Sequence, residues 1–182
     1  MTSFSLLVAA LGLGLLSGCD DAPRTPEQAA RKVLAEAARP VLDSPAPEFE
    51  LDRLHGGRFT SAELRGKTTL LNFWAPWCPP CVQELPELSR LHRTIQTDGG
   101  QVIGIAMERQ EDVQTFLADH PVTYPMLLGG KTGNDLMRRL GNTHGGLPYT
   151  VVIDPTGRIR TVHAGLLNED RARRLFNAAR EQ

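Results

Sequence analysis

Residues 68–74 read Thr-Thr-Leu-Leu-Asn-Phe-Trp, an uncharged run with the length and make-up of a buried strand. Cys78-Pro79-Pro80-Cys81 follows almost at once and opens a helical stretch from about Cys78 to Gln96, with an interruption expected at Pro86. A buried strand that gives way directly to a helix commits a chain to layering helices on a sheet, and the rest of the sequence repeats the alternation. Residues 101–107 form a second buried run, 110–119 a helix, 123–128 a short strand and 134–140 a short helix. Tyr149–Asp154 and Arg158–Ala164 flank Pro155-Thr156-Gly157, a tight connection that predicts an antiparallel hairpin. A last helix starts at Asn168, with Leu175 and Phe176 facing inward. The 138 residues from Pro45 to Gln182 suffice for one small α/β sandwich with a mixed sheet, closed by a hairpin and a helix.

Charge and composition narrow the function. The 182 residues hold 20 Lys+Arg against 21 Asp+Glu, so no basic surface for nucleic acid is implied. Three cysteines make one pair and leave one over, too few for a multi-bridge scaffold. Phe4 to Leu16 is an apolar stretch of 13 residues, short of the about 20 that a spanning helix needs but suited to a signal-peptide core. Leu16-Ser17-Gly18-Cys19 follows and resembles a bacterial lipobox. That resemblance implies removal of residues 1–18, a lipid on the sulfur of Cys19 and a chain anchored outside the cytoplasm. Met1–Ser3 carries no Lys or Arg, a departure from the pattern that a true start upstream of Met1, or a truncated sequence, would explain. Asp20 resembles the inner-membrane retention signal of enteric lipoproteins. Residues 19–44 then read as a polar spacer with one helix, capped by Thr25 and ending before Pro40, ahead of a domain over 45–182.

The chemistry rests on the two remaining cysteines. Three residues apart at a helix start, Cys78 and Cys81 share a face and can close a disulfide with little backbone movement. The helix dipole favours a thiolate at Cys78, the candidate nucleophile. Cys81, one turn in and better shielded, is suited to resolve the mixed disulfide that Cys78 forms with a substrate. Zinc needs two further ligands, and the five histidines are scattered singly. A purely structural bridge around so small a loop contributes little through chain entropy. The expected centre is therefore a redox dithiol that uses no metal and no other cofactor.

Several ordered motifs carry a resemblance to the membrane-anchored, extracytoplasmic thioredoxin-like proteins of the TlpA/ResA/DsbE type. They are Pro47-Glu48-Phe49-Glu50-Leu51, Leu64-Arg65-Gly66-Lys67, Leu71-Asn72-Phe73-Trp74-Ala75, Trp77-Cys78-Pro79-Pro80-Cys81, Glu84-Leu85-Pro86 and Gly146-Leu147-Pro148 ahead of Thr150-Val151-Val152-Ile153-Asp154. The resemblance implies a thioredoxin-like three-layer α/β/α sandwich and a thiol-disulfide oxidoreductase. It makes Pro148 a cis-proline opposite the dithiol, frees the backbone of Leu147 to pair with an extended substrate, and sets Trp77 beside it in the substrate-binding surface. Asn72 stands where cytoplasmic thioredoxins carry a buried Asp that moves the proton of the inner thiol. Glu84, three residues past Cys81, is the family's substitute and the expected proton acceptor. The implied partners are exported proteins with disulfides, such as apocytochromes c or copper-site proteins, and a membrane electron donor of the DsbD/CcdA type.

The direction of electron flow has a physical pointer. Pro79 and Pro80 lack an N–H, so the helix start offers Cys78 few donors, those of Cys81 and Val82 being nearest. A less stabilised thiolate lowers the reduction potential, which predicts a reductant. Three readings compete with it: an oxidant that inserts disulfides, a copper metallochaperone using Cys78, Cys81 and a histidine such as His144, and a peroxidatic enzyme. The last wants a Thr three residues before the attacking Cys, where this chain has Ala75.

Overall fold

The computed structural model describes residues 41–181 continuously and single positions of the spacer from Thr25 to Glu36. Cys19 and the segment before it lie outside the described residues. In the spacer, the Gln28 N–H donates to Thr25 Oγ1 (3.1 Å), and the described positions from Pro26 to Glu36 are helical. Among the described residues no helix is long and apolar enough to cross a membrane.

Seven strands make one sheet: β1 (Glu50–Arg53), β2 (Arg58–Thr60), β3 (Thr68–Trp74), β4 (Gly100–Ala106), β5 (Met126–Leu128), β6 (Tyr149–Ile153) and β7 (Ile159–Ala164). Their order is β2-β1-β5-β4-β3-β6-β7, with β3, β4 and β5 parallel and the other pairings antiparallel. Four helices complete the fold: α1 (Pro79–Ile95), α2 (Gln110–Asp119), α3 (Gly130–Arg139) and α4 (Glu169–Arg180). Strand side chains alternate between faces, so β3 feeds two cores. Leu70 and Trp74 join Val102, Ala106 and Val152 under α1, α2 and α4. Leu71 and Phe73 join Ile103, Ile105, Val151 and Ile153, covered by Leu136 and Met137 of α3 and by Leu64 of the 3₁₀ turn Ser61–Leu64. The result is the three-layer α/β/α sandwich with a mixed sheet that the sequence leads one to expect.

Several boundaries differ from the sequence reading. Helix α1 runs unbroken through Pro86, whose ring lies on the exposed face and removes a single backbone bond. The hairpin β1–β2 escaped notice because each strand is short and carries one buried apolar residue, Leu51 and Phe59. Strand β5 starts at Met126 instead of Thr123, and α3 begins at Gly130, four residues early. Glycine lowers the helical signal at Gly133, where a Cβ would lie 3.1 Å from Met107 Sδ, tighter than ordinary contact, so its absence suits the packing of α3 against that side chain.

The chain enters the domain at the sheet end where β6 stops. Asp43 and Ala46 N–H groups donate to Ile159 and Gly157, and the Ile159 N–H donates to Ser44. Arg160 bridges Asp43 (2.8 Å) and the buried Asp154 (2.6 Å). Since β3 and β6 are antiparallel, this is the end where β3 begins, opposite the one from which α1 departs.

One buried side chain completes the ladder where β5 is too short. Strand β5 pairs with β4 only over Gly104–Ala106, and the Val102 N–H donates instead to His92 Nδ1 on α1 (3.0 Å). The acceptor must be unprotonated, and burial, followed by the charge of Arg93, holds the ring below its ordinary pKa. As pH falls, the unfolded chain therefore takes up this proton first. Stability measured by denaturant unfolding is expected to decline below about pH 6.5, His92 adding up to ~1.4 kcal/mol per pH unit until its folded-state pKa is passed. In His92→Gln that part of the slope should vanish; equal slopes in both proteins would reject the assignment.

Candidate active site

Strand β3 ends at Trp74, whose carbonyl accepts from the Met107 N–H (2.8 Å). The chain turns through Ala75, Pro76 and Trp77 and starts α1 with Cys78 as N-cap residue in extended conformation (φ -98, ψ 101) and Pro79 and Pro80 in the first turn. Cys78 and Cys81 form a disulfide with a Cα–Cα distance of 5.3 Å, within the ordinary range. Their surroundings are unequal: Cys78 is 5% exposed and Cys81 0%. Of the two backbone donors nearest Cys78, the Val82 N–H is engaged by Cys78's own carbonyl (3.1 Å). Because Pro79 and Pro80 have no N–H, Cys81 supplies the one first-turn donor not so engaged. The helix start is thus poorer in donors for a Cys78 thiolate than the sequence alone implies.

Below the dithiol lies a buried polar set in an otherwise apolar layer. Glu84 follows Cys81 by three residues on the inward face of α1 and is fully buried. Its Oε1 accepts from Asn72 Nδ2 (2.6 Å) and its Oε2 from the Leu167 N–H (3.0 Å). Burial pushes the carboxyl up to about 8, against the opposing pull of those two hydrogen bonds. Asn72 Nδ2 also donates to Thr150 Oγ1 (3.0 Å), its direct cross-strand partner on β6. Burial, and then the Glu84 charge, raise the phenol of Tyr124, whose hydroxyl has no partner among the described residues. A carboxyl raised to about 8 and placed one helical turn past Cys81 is suited to take or give the proton of the inner sulfur.

The loop before β6 brings a second element to the same end of the sheet. Phe73 pairs with Tyr149, and carrying that register on sets Pro148 opposite Trp74 and Leu147 opposite Ala75. The Leu147–Pro148 bond is cis. The Pro148 carbonyl accepts from the Gly165 N–H (2.9 Å), whereas neither backbone group of Leu147 has a backbone partner among the described residues. Asn142, buried, holds the loop by donating to the Gly146 carbonyl (2.7 Å) and accepting from the Gly145 N–H (3.0 Å). His144 sits exposed in that loop. Trp77 is 65% exposed, its indole N–H donating to Glu108 Oε2 (3.1 Å). Thr150, Leu167, Tyr124 and Asn142 were not singled out from sequence. The available signal was polarity within buried stretches, as at Thr150 beside Tyr149 and Val151.

Comparison with known proteins bears on the same region. The sequence pattern of the AhpC/TSA family matches residues 42–162. The thiol:disulfide interchange protein HelX of Rhodobacter capsulatus is 41% identical over 128 residues, 69% of this chain and 69% of that protein. The thiol-disulfide oxidoreductase ResA of Bacillus subtilis is 30% identical over 129 residues, again 69% of each. Among solved structures, a thiol:disulfide interchange protein of the thioredoxin family from Chlorobium tepidum superposes with a TM-score of 0.67 at 29% identity, covering 74% of this chain and 94% of that one. Sheet order, the cysteine pair at the start of α1 and these likenesses converge: the chain belongs to the AhpC/TSA family, on its thioredoxin-like side with ResA, HelX and DsbE, and is a thiol-disulfide oxidoreductase.

Proposed function

We propose that the chain is a lipid-anchored reductant of protein disulfides in the bacterial cell envelope, acting through Cys78 and Cys81. The observation that carries this reading is a disulfide at a helix start between Cys78, 5% exposed, and the fully buried Cys81, with Glu84 buried one turn further along the helix. In the reduced protein the Cys78 thiolate attacks a substrate disulfide, forming a mixed disulfide and releasing one substrate thiolate. Glu84 accepts the proton of the Cys81 thiol, and the resulting thiolate attacks Cys78 sulfur. The Cys78–Cys81 disulfide forms, the second substrate sulfur leaves as a thiolate, and two electrons have passed to the substrate. Leu147 offers its free N–H and carbonyl to an extended substrate segment, with Pro148 and Trp77 flanking it.

The substrates we propose are exported proteins whose cysteines must be reduced before use, as in apocytochromes c or copper sites. A DsbD/CcdA-type membrane protein returns the electrons. A lipid on Cys19 holds the chain at the inner membrane facing the periplasm. The entry of residues 43–46 at the far end of the sheet supports this placement, because a tether leaving there points the dithiol away from its anchor.

Two measurements test the reading. Cys81→Ser should stall the exchange at the mixed disulfide and let the captured protein be identified from cell envelopes by mass spectrometry. Captured partners that lack cysteine pairs, or none at all while Cys78 still reacts with small disulfides, would contradict it. The reduction potential, measured against glutathione or dithiothreitol, should lie in the reducing range near that of thioredoxin, about -270 mV. A value as oxidising as about -120 mV, that of a dedicated oxidant, would reverse the direction of electron flow.

A further inference from the structure

Asn72 is an amide in the middle of a strand with no charge, fully buried, and its hydrogen bonding is lopsided. Nδ2 uses both its hydrogens, one on Glu84 Oε1 and one on Thr150 Oγ1. Oδ1, equally buried, has no partner among the described residues. Rotation by about 180° about χ2 exchanges donor and acceptor ends with little change in shape. Turned over, Oδ1 meets two hydroxyl donors, the acid form of Glu84 and the side chain of Thr150. Each orientation makes two bonds at this end, while the unpartnered end holds Oδ1 in one and Nδ2 in the other, so the turned amide is favoured only while Glu84 is the acid. The 2.6 Å between Asn72 and Glu84 is short for an amide N–H···O bond and ordinary for O–H···O, so the spacing admits both.

We propose that Asn72 is a positioning residue of the dithiol chemistry, turning its amide over as Glu84 gains a proton and back as Glu84 loses it. This rests on Glu84 being the proton acceptor for Cys81. The Cys81 S–H bond breaks, the proton goes to Glu84, and the Asn72 oxygen then accepts from the new O–H. When the second substrate sulfur leaves as a thiolate it takes that proton, and Nδ2 returns to the carboxylate. The other groups around Glu84 stay in place through the cycle. The Leu167 N–H donates to Oε2 throughout, Tyr124 faces the carboxyl from the segment before β5, and His163 sits across from Thr150 on β7. Neither carboxylate oxygen takes a hydrogen bond from Lys or Arg among the described residues, so the amide is the one side-chain donor that holds the charge.

The experiment follows the single-turnover reaction of the reduced full chain with oxidised glutathione between pH 5 and 10, alongside the ¹³C titration of the Glu84 carboxyl. Asn72→Leu removes both ends of the amide and should move the Glu84 midpoint, and the matching limb of the rate profile, upward by about one to two pH units. Asn72→Asp should also move it upward, because two carboxyls at this separation share a proton. It carries the test if the leucine variant fails to fold. Glu84→Gln should remove the limb altogether. If Glu84→Gln removes it but both Asn72 variants leave the midpoint where it was, with unfolding midpoints near the parent's, the role of Asn72 is refuted and that of Glu84 stands. If the limb survives in Glu84→Gln, both fall.

Discussion

Every residue of β3 is buried, and that constraint organises the molecule. A strand hidden on both faces and both edges needs β4 on one side, β6 on the other, helices above and α3 below. It pairs with β4 from Thr68 to Trp74 and with β6 from Thr69 to Phe73, and beyond Trp74 the chain leaves the sheet. It leaves into α1, so the first helical residues and the cysteines among them sit at the edge of the core instead of on a free loop. The depth difference between the two sulfurs is a direct product of that exit: Cys78 caps the helix at its rim, and Cys81 has already turned under it.

The same constraint explains why a carboxyl is found where apolar packing would serve stability better. Glu84 lies in the layer between α1 and β3, where leucines occupy neighbouring positions such as Leu85 and Leu88. Burying it without a cation is costly, and it is tolerated because Asn72 and Leu167 each donate to it. What the site gains is a carboxyl that burial raises to about 8, one helical turn from Cys81, the placement that the proposed proton exchange requires. Thr150 and the loop carrying Leu167 are brought in by β6, β7 and the start of α4, so the far half of the sequence completes a site whose cysteines belong to the near half.

Much of this was legible in the chain itself. The uncharged run 68–74 and the run beginning at Gln101 marked β3 and β4 almost to the residue, because buried strands have no polar alternation to blur their ends. The Pro155-Thr156-Gly157 turn and Asn168, whose side chain accepts from the Arg171 N–H, announced the closing hairpin and helix through local chemistry alone. Where tertiary contacts decide, local pattern failed. The hairpin β1–β2 is stabilised by its neighbours and not by its own composition, α3 carries a glycine where it packs against Met107, and Pro86 is tolerated because α1 is fixed by packing on both sides of it. At the site, the spacing of Cys78 and Cys81 picks out the dithiol, and the resemblance adds Glu84 one turn further along α1 and Asn72 on β3. Tyr124, Thr150 and Leu167 come from separate elements, and only the assembled sheet brings them to the Asn72–Glu84 pair.

The fold makes two chemically identical thiols unequal. The most direct measurement is alkylation of the reduced protein with limiting iodoacetamide at neutral pH, read residue by residue by mass spectrometry. Cys78 should be carboxamidomethylated and Cys81 left unmodified until the chain is unfolded. Equal labelling of the two, or labelling of Cys81 first, would contradict it.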